Sequence, residues 1–302
     1  MYIHEHGFQA SDGLGWFIDT TIGKVKTPAG HEILTERAAR GVVNNKVDLT
    51  ALIAGVRRPD LADPQDHIKL GEQKRHFLRS IKQPSWNAWF LAIDHLRALH
   101  QSMLASTNRA DQLTLIGEAL HLIQDSFAPA HVERDPRTRD ILNIRIYDPK
   151  PPRGEHVFLR DARDAIFTAP SPTALALGAK AAISAGKEYL QTALRHLGLN
   201  QSPLSLLGQL AQQATRDLNA FIGRRLWFRF PDLRLGAQGW PVGVLHGPLN
   251  TWLVVHGSNL PPLQGSTFDS ATHDAVLEFQ KAMGVTADGR VGRQTWKKLL
   301  LP

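Results

Sequence analysis

The sequence predicts an all-α protein with a large multi-helix domain and a small C-terminal helical domain. Apolar residues recur at helical spacing through most of the first 225 positions, and alternating apolar and polar runs are scarce there. A length of 302 residues exceeds what one compact core usually occupies. We therefore expect domains at 1–225 and 243–302, joined by a linker at 226–242 where the helical pattern gives way to glycine and proline.

Five helices are expected in the large domain. The first opens at Thr27-Pro28, where an N-cap residue is followed by proline, and runs to residue 43 with His31 in its first turn. The other four are expected at 85–104, 110–127, 172–197 and 203–222. The last of these carries an apolar stripe typical of a core helix, formed by Leu207, Leu210, Ala214, Leu218 and Phe221.

The composition limits the classes of function. No stretch approaches the roughly 20 apolar residues that span a bilayer, so no transmembrane segment is expected. The chain has no cysteine, which excludes disulfides and thiolate metal ligands. Residues 1–6 lack the basic start and apolar core of a secretory signal. A formal charge of +7 favours an anionic partner, although it is equally typical of a basic soluble surface.

The segment 121–131 carries the strongest indication of chemistry. His121 and Asp125 are four residues apart, so both project from one face of a helix and could bind one cation. Pro129 ends or kinks that helix, and His131 follows on a turn that can return to the same cavity. One such pair is more often a surface pair than a metal site, so further ligands are needed. The large domain offers His31, Asp60, His76 and His156.

This segment resembles the core motif of the zinc-dependent phospholipase C and single-strand nuclease superfamily, in which His, Asp and His fall at the same spacing. Three further stretches match in the expected order. Residues 27–35 are similar to the first-helix histidine segment of the family, and residues 55–60 and 75–77 to its Asp and His pair. The resemblance covers roughly residues 16–222 and rests on the ordered set of motifs.

The resemblance implies a site with two or three zinc ions (Zn2+). The ligands that it assigns are His31, Asp60, His76, His121, Asp125, His131 and His156. Asp125 would bridge two ions, and His131 and His156 would bind a third. The resemblance also implies that Asp60 is the catalytic residue, which orients or deprotonates the attacking water.

Two features of the sequence depart from the family pattern, and one histidine offers an alternative assignment. Arg160 stands four residues after His156, where the family has an acidic ligand. Trp16 lies where the family has an N-terminal tryptophan ligand, so His4 or His6 could replace it unless residues 1–15 are removed. His67, beside two aspartates, is an alternative to the pair Asp60 and His76.

The small domain shows its own resemblance. Ala275, Val276 and Phe279 form one helical face, and Asp288-Gly289 makes the turn before a second short helix. The pattern Ala-Val-x-x-Phe-Gln at 275–280, with Asp-Gly-x-x-Gly-x-x-Thr-Trp at 288–296, resembles the three-helix bacterial peptidoglycan-binding module. The resemblance implies peptidoglycan as a partner and no catalytic residues; such modules sometimes serve only as docking or stability domains.

These features together predict a zinc-dependent phospholipase C-like hydrolase that acts on glycerophospholipids and is held at the bacterial envelope by a wall-binding module. Without a signal peptide, it would leave by a non-classical route or a specialised secretion system and act in the periplasm or envelope, as an antibacterial effector. An immunity or inhibitor protein is kept open as a partner. The alternatives are a nuclease on the same site, a non-catalytic wall-binding protein, and a zinc enzyme that cleaves peptidoglycan.

Overall fold

The computed structural model describes residues 30–61, 72–146, 177–199 and 207–302, and the chain divides into two compact units, Met1–Phe228 and Arg229–Pro302. The described residues are mostly helical, which confirms the predicted fold class. Their α-helices are α1 Gly30–Ala39, α2 Lys46–Leu61, α3 Ser85–Ala105, α4 Arg109–Asp125, α5 Leu177–Leu199, α6 Leu207–Arg225, α7 Trp240–Val255, α8 Ser270–Ala282 and α9 Arg293–Leu300. A 3-10 turn, Gln73–His76, and two short strands, β1 Val132–Arg134 and β2 Ile141–Ile144, complete the elements.

The closest helix packing in the first unit joins α2 to α4. A Cβ atom added at Gly55 would lie 2.0 Å from the carbonyl oxygen of Thr114, and one at Gly117 would lie 2.3 Å from that of Leu52. Any larger side chain at either position would therefore meet backbone that cannot move aside. This contact brings the C-terminal half of α2 directly against the C-terminal half of α4.

The antiparallel strands β1 and β2 follow α4 and form a small hairpin that the sequence did not predict. Val132 pairs with Ile144, and the register shifts between Glu133 and Arg134. Arg134 donates from Nε to the carbonyl oxygen of Ser126 at 2.9 Å, and its guanidinium lies 4.1 Å from the centre of the Phe127 ring. Arg134 therefore satisfies a carbonyl group at the end of α4 and fixes the turn that leads into β1.

Three helices differ from the sequence expectation. Helix α2 was not predicted, and α1 ends at Ala39 rather than at residue 43, because the chain turns at Gly41 with φ of 73°. Helix α7 begins at Trp240, inside the predicted linker, with Pro241 in its first turn. The predicted starts of the first, fourth and fifth helices lie outside the described residues. No helix in the described part of the chain is both long enough and apolar enough to cross a membrane.

The second unit is built around α7, α8 and α9. Phe268, Phe279 and Trp296 are fully buried there, and the Trp296 indole donates to the carbonyl oxygen of Pro231 at 2.9 Å. The Asp269 side chain accepts from the backbone N–H of Thr272 at 2.8 Å and so caps the start of α8.

Candidate metal centre

The first unit brings six of the seven predicted ligands together in its interior. They come from α1 (His31), the C-terminal end of α2 (Asp60), the 3-10 turn (His76), α4 (His121 and Asp125) and the turn before β1 (His131). None is more than 8% exposed. Buried charged groups of this kind are rare unless they are paired or bind a metal.

Asp125 lies at the centre of the cluster. Its Oδ1 is 3.3 Å from Nε2 of His31, and its Oδ2 is 3.1 Å from Nε2 of His121. Nδ1 of His76 lies 3.4 Å from the same Oδ2 and 3.1 Å from Nε2 of His121. The two carboxylate oxygens thus face different sets of imidazole nitrogens, as the predicted bridging role requires.

Asp60 completes the donor set from the other side. Its Oδ1 lies 3.7 Å from both Nδ1 of His76 and Nε2 of His121. Two overlapping groups of potential ligand atoms result, each with all atoms within 4.8 Å of one another: His31, Asp60 and His121, and His76, His121 and Asp125. His121 belongs to both groups.

Hydrogen bonds on the far side of the rings fix the orientation of two histidines. Nδ1 of His121 lies 2.9 Å from the carbonyl oxygen of Val56, which can only accept, so Nδ1 carries the proton and Nε2 presents a lone pair to the cluster. Nδ1 of His131 likewise donates to the carbonyl oxygen of His76, at 2.6 Å. The Val56 contact depends on the close approach of α2 and α4.

A side-chain amide orients the third imidazole. Oε1 of Gln124 lies 2.7 Å from Nδ1 of His31, and Nε2 of Gln124 donates to Oγ1 of Thr35 at 2.8 Å. Both Gln124 and Thr35 are buried, so this chain of hydrogen bonds fixes which nitrogen of His31 faces Asp125. Sequence reasoning missed both residues. Gln124 stands one residue before Asp125 and Thr35 four after His31, but this spacing alone does not predict a hydrogen bond between α4 and α1.

Nε2 of His121 directs its lone pair toward Oδ2 of Asp125. Two acceptor atoms facing each other repel, so a proton or a cation is needed between them. Burial raises the pKa of Asp125 well above its usual range, and burial also raises that of Asp60 to about 8, partly opposed by His121 and reinforced by Asp125. Burial lowers the pKa of His121. Without a metal, the cluster therefore carries little net charge, and its carboxylates would bind either protons or a cation.

The buried oxygens provide the test of whether a metal fits. Oδ1 of Asp60 and both carboxylate oxygens of Asp125 are buried and accept no hydrogen bond from the residues that the structure describes. A buried carboxylate without donors is costly, because its hydration is lost and not replaced. Imidazole and carboxylate donors at these distances around one centre fit a divalent cation of the zinc type.

Several predicted or alternative ligands lie outside the described residues. They are His156, the neighbouring Arg160, His67, Trp16, His4 and His6. The third ion assigned to His131 and His156 therefore stays a prediction.

A second group of buried histidines lies away from the cluster, between α3, α5 and α6. Nε2 of His100 is 3.1 Å from Nδ1 of His196, and Nε2 of His196 is 2.9 Å from Oδ2 of Asp217. The Tyr189 hydroxyl lies 3.2 Å from Nδ1 of His100. Burial lowers the pKa of His100 to about 4, so its imidazole is neutral near pH 7 in a hydrogen-bond network that joins three helices.

In the second unit, Gln280 organises the loop that carries the Asp-Gly motif. Its Oε1 accepts from the backbone N–H of Gly289 at 2.9 Å, and its Nε2 donates to the carbonyl oxygen of Arg290 at 2.8 Å. Gly289 has φ of 69°, and an added Cβ would lie 2.1 Å from Nε2 of His273. The glutamine and glycine of the sequence motif are therefore structural requirements of the loop.

Comparison with known families supports the peptidoglycan-binding prediction for the second unit. Residues 249–299 match the family model described as "Putative peptidoglycan binding domain". The prediction of a peptidoglycan-binding-like module is confirmed. The match begins within α7 and includes α8 and almost all of α9. Neither the curated proteins nor the solved structures contain a match to the chain.

Proposed function

We propose that the first unit is a zinc-dependent phosphodiester hydrolase, a phospholipase C acting on glycerophospholipids, and that the second unit holds it at the bacterial cell wall. The observation that supports the hydrolase most directly is the buried Asp125 carboxylate, which lies between His31, His76 and His121 and accepts no hydrogen bond from the described residues.

Zinc suits the donors better than other common metals. With no cysteine in the chain, the ligands are imidazoles and carboxylates, and several imidazoles at one site favour zinc over magnesium or calcium. His31, His76, His121, Asp60 and Asp125 would hold two ions, with Asp125 shared between them.

The residues of the cluster have distinct roles in the proposed reaction. When bound, zinc supplies positive charge that activates water near neutral pH and offsets the charge of a phosphodiester. Val56 and Gln124 keep His121 and His31 in the tautomers that present Nε2 to the site. Asp60, whose Oδ1 accepts no hydrogen bond within the described chain, orients the attacking water and takes its proton.

Two features support a phospholipid substrate. The sequence of the first unit resembles the zinc-dependent phospholipase C and nuclease superfamily, and the match at 249–299 associates the chain with the wall, close to membrane lipid. The formal charge of +7 suits an anionic substrate but fits a nucleic acid equally well. Delivery by a specialised secretion system, action as an antibacterial effector and an immunity partner rest on this pairing of units.

A substrate panel tests the proposal. The zinc-loaded chain is offered phosphatidylcholine, phosphatidylethanolamine, single-stranded DNA and peptidoglycan side by side. His121→Ala is the inactive variant, and His256→Ala, at an exposed position of the other unit, is its matched control. Release of phosphorylated headgroups, lost only in His121→Ala, is expected. Cleavage of DNA alone would establish the nuclease alternative. Failure to cleave any of the four substrates would contradict the proposal that the first unit is an enzyme.

The proposed role of Asp60 has its own test. Asp60→Asn keeps an oxygen ligand but removes the base. Turnover should therefore be abolished, while the zinc content should fall by a smaller factor than the turnover does. Zinc content and headgroup release are measured on the same sample. Full activity in this variant would refute the role.

A further inference from the structure

The second unit contains an open groove of about 410 Å³ beside the loop that Gln280 organises. Its sides carry two carboxylates and two guanidiniums, and its base includes side chains that are almost fully buried. The residues that define it are Asp232, Asp288, Arg290, Arg293, Gln280 and Thr295. The four charged residues are all exposed, so charges of both signs lie at the surface of the groove.

The base of the groove is fixed before any ligand binds. Gln280, 1% exposed, donates to Oγ1 of Thr295 at 3.1 Å and to Oδ1 of Asp288 at 3.2 Å. The backbone N–H of Arg290 donates to the same Oδ1 at 2.9 Å. These bonds, of which the Arg290 N–H bond is the largest cause, hold the pKa of Asp288 below its usual range. A groove ordered in advance loses less entropy when it binds.

The chemistry of the lining separates the two components of peptidoglycan. The lining residues offer hydroxyl, amide, carboxylate and guanidinium groups, and none of them has an aromatic ring on which a sugar face could stack. In intact peptidoglycan, the lactyl carboxyl groups of the glycan strand are amide-linked to the stem peptides, so the strand itself is neutral. The stem peptides carry free carboxylates and, at a diamino acid, a free amine. A lining with charges of both signs fits the peptide.

We propose that this groove binds the stem peptide of peptidoglycan, with Arg290 and Arg293 contacting a carboxylate and Asp232 and Asp288 contacting an ammonium group. The proposal rests on the wall-binding half of the proposed function and names its ligand. Guanidinium groups suit carboxylates because their N–H donors match both oxygens.

The test compares binding of the full chain to two wall preparations. One is intact sacculi, and the other is glycan strands from which an amidase has removed the peptides and whose freed lactyl carboxyl groups have then been amidated, so that the strands carry no carboxylate. Soluble stem peptide serves as competitor. Wild-type chain should bind sacculi, lose at least tenfold in affinity for the stripped strands, and be displaced by the peptide.

Variants locate the site. Arg290→Gln with Arg293→Gln should weaken binding to sacculi roughly tenfold, because charge-assisted hydrogen bonds are lost, and Asp232→Asn should weaken it less. The control is Lys281→Gln with Lys298→Gln, which removes the same charge from exposed positions outside the groove lining. Thermal unfolding of each variant confirms that the unit remains folded.

The outcomes separate this proposal from the wall-binding function. The proposal that the groove binds the stem peptide would be overturned by equal binding of sacculi and stripped strands, or by groove variants that bind like the lysine control. Either result would leave wall binding intact. No binding of the wild-type chain to sacculi would overturn both. Selective loss in the groove variants together with competition by peptide would support the proposal.

Discussion

Buried polar groups are arranged differently in the two units of this chain. In the second unit, the side chain of Gln280 bonds to its own loop, so this buried polar group stabilises the fold by itself. In the first unit, His31, His121 and Asp125 direct ligand atoms at a common centre, where both oxygens of Asp125 and Oδ1 of Asp60 accept no hydrogen bond from the described residues. The arrangement in the second unit needs no ligand, whereas the cluster in the first unit requires a cation or protons.

The largest predicted effect comes from the helix contact that builds the cluster. Gly117→Ala should destabilise the protein by about 3 kcal/mol, because its Cβ would lie 2.3 Å from the carbonyl oxygen of Leu52 and force α2 away from α4. Urea unfolding and zinc affinity measure the two consequences. The control is Gly198→Ala on α5, where an added Cβ would meet no atom within 4 Å. This variant should be neutral or slightly stabilising. Equal stability of both variants would show that the helices are not in contact.

The second prediction separates a cation site from a structural network. Asp125→Asn should be at least as stable as wild type in EDTA, since burial already disfavours the charged carboxylate. With zinc at a hundred times its dissociation constant, wild type should gain about 2.7 kcal/mol and the variant much less. The exposed Asp94→Asn is the control. A variant destabilised equally with and without zinc would indicate a purely structural carboxylate.

The third prediction concerns pH and the network away from the cluster. The pKa of His100 is lowered to about 4 by burial, whereas an unfolded histidine has a pKa near 6.5. The unfolded state therefore binds a proton first, and stability is lost as the pH falls from about 6.5 toward 4. At pH 5 the loss from this group is about 2 kcal/mol.

His100→Gln should reduce this pH dependence by about one proton. Denaturant unfolding at pH 7 and pH 5, in EDTA, measures it, with the exposed His256→Gln as control. The prediction fails if His100→Gln and wild type lose the same stability between these two pH values.

The smallest predicted effect is on the positioning residue Gln124. Gln124→Leu removes the acceptor for His31 Nδ1 and should weaken zinc binding about tenfold, as loss of such a supporting bond usually does. Gln124→Glu keeps an acceptor and should retain more affinity than the leucine variant. If zinc affinity is the same in all three proteins, His31 is not a ligand held in place by Gln124.

Part of this architecture could be predicted from sequence alone. Helix α3 was expected at nearly its observed bounds, because its apolar residues follow helical spacing without interruption. Helices α2 and α7 were missed, since Gly55 and Pro59 in one and Gly247 and Pro248 in the other are typical of breaks. Their packing overrides those local preferences.

The cluster was predicted to a similar extent. His121 and Asp125 follow from helical spacing, whereas His31, Asp60 and His76 required a family resemblance because they are distant in sequence. Gln124 could not be predicted, since its role depends on where α1 packs against α4. The contact of Gly55 and Gly117 likewise exists only once two helices have met.

The metal content of the purified chain shows whether the cluster is a zinc site. The purified full chain is loaded with zinc, dialysed and analysed by mass spectrometry for zinc per chain, with His121→Ala and His256→Ala in parallel. We expect two or three zinc ions per chain in wild type and in His256→Ala, and a clear loss in His121→Ala. Wild-type chain that retains no zinc after loading would contradict it.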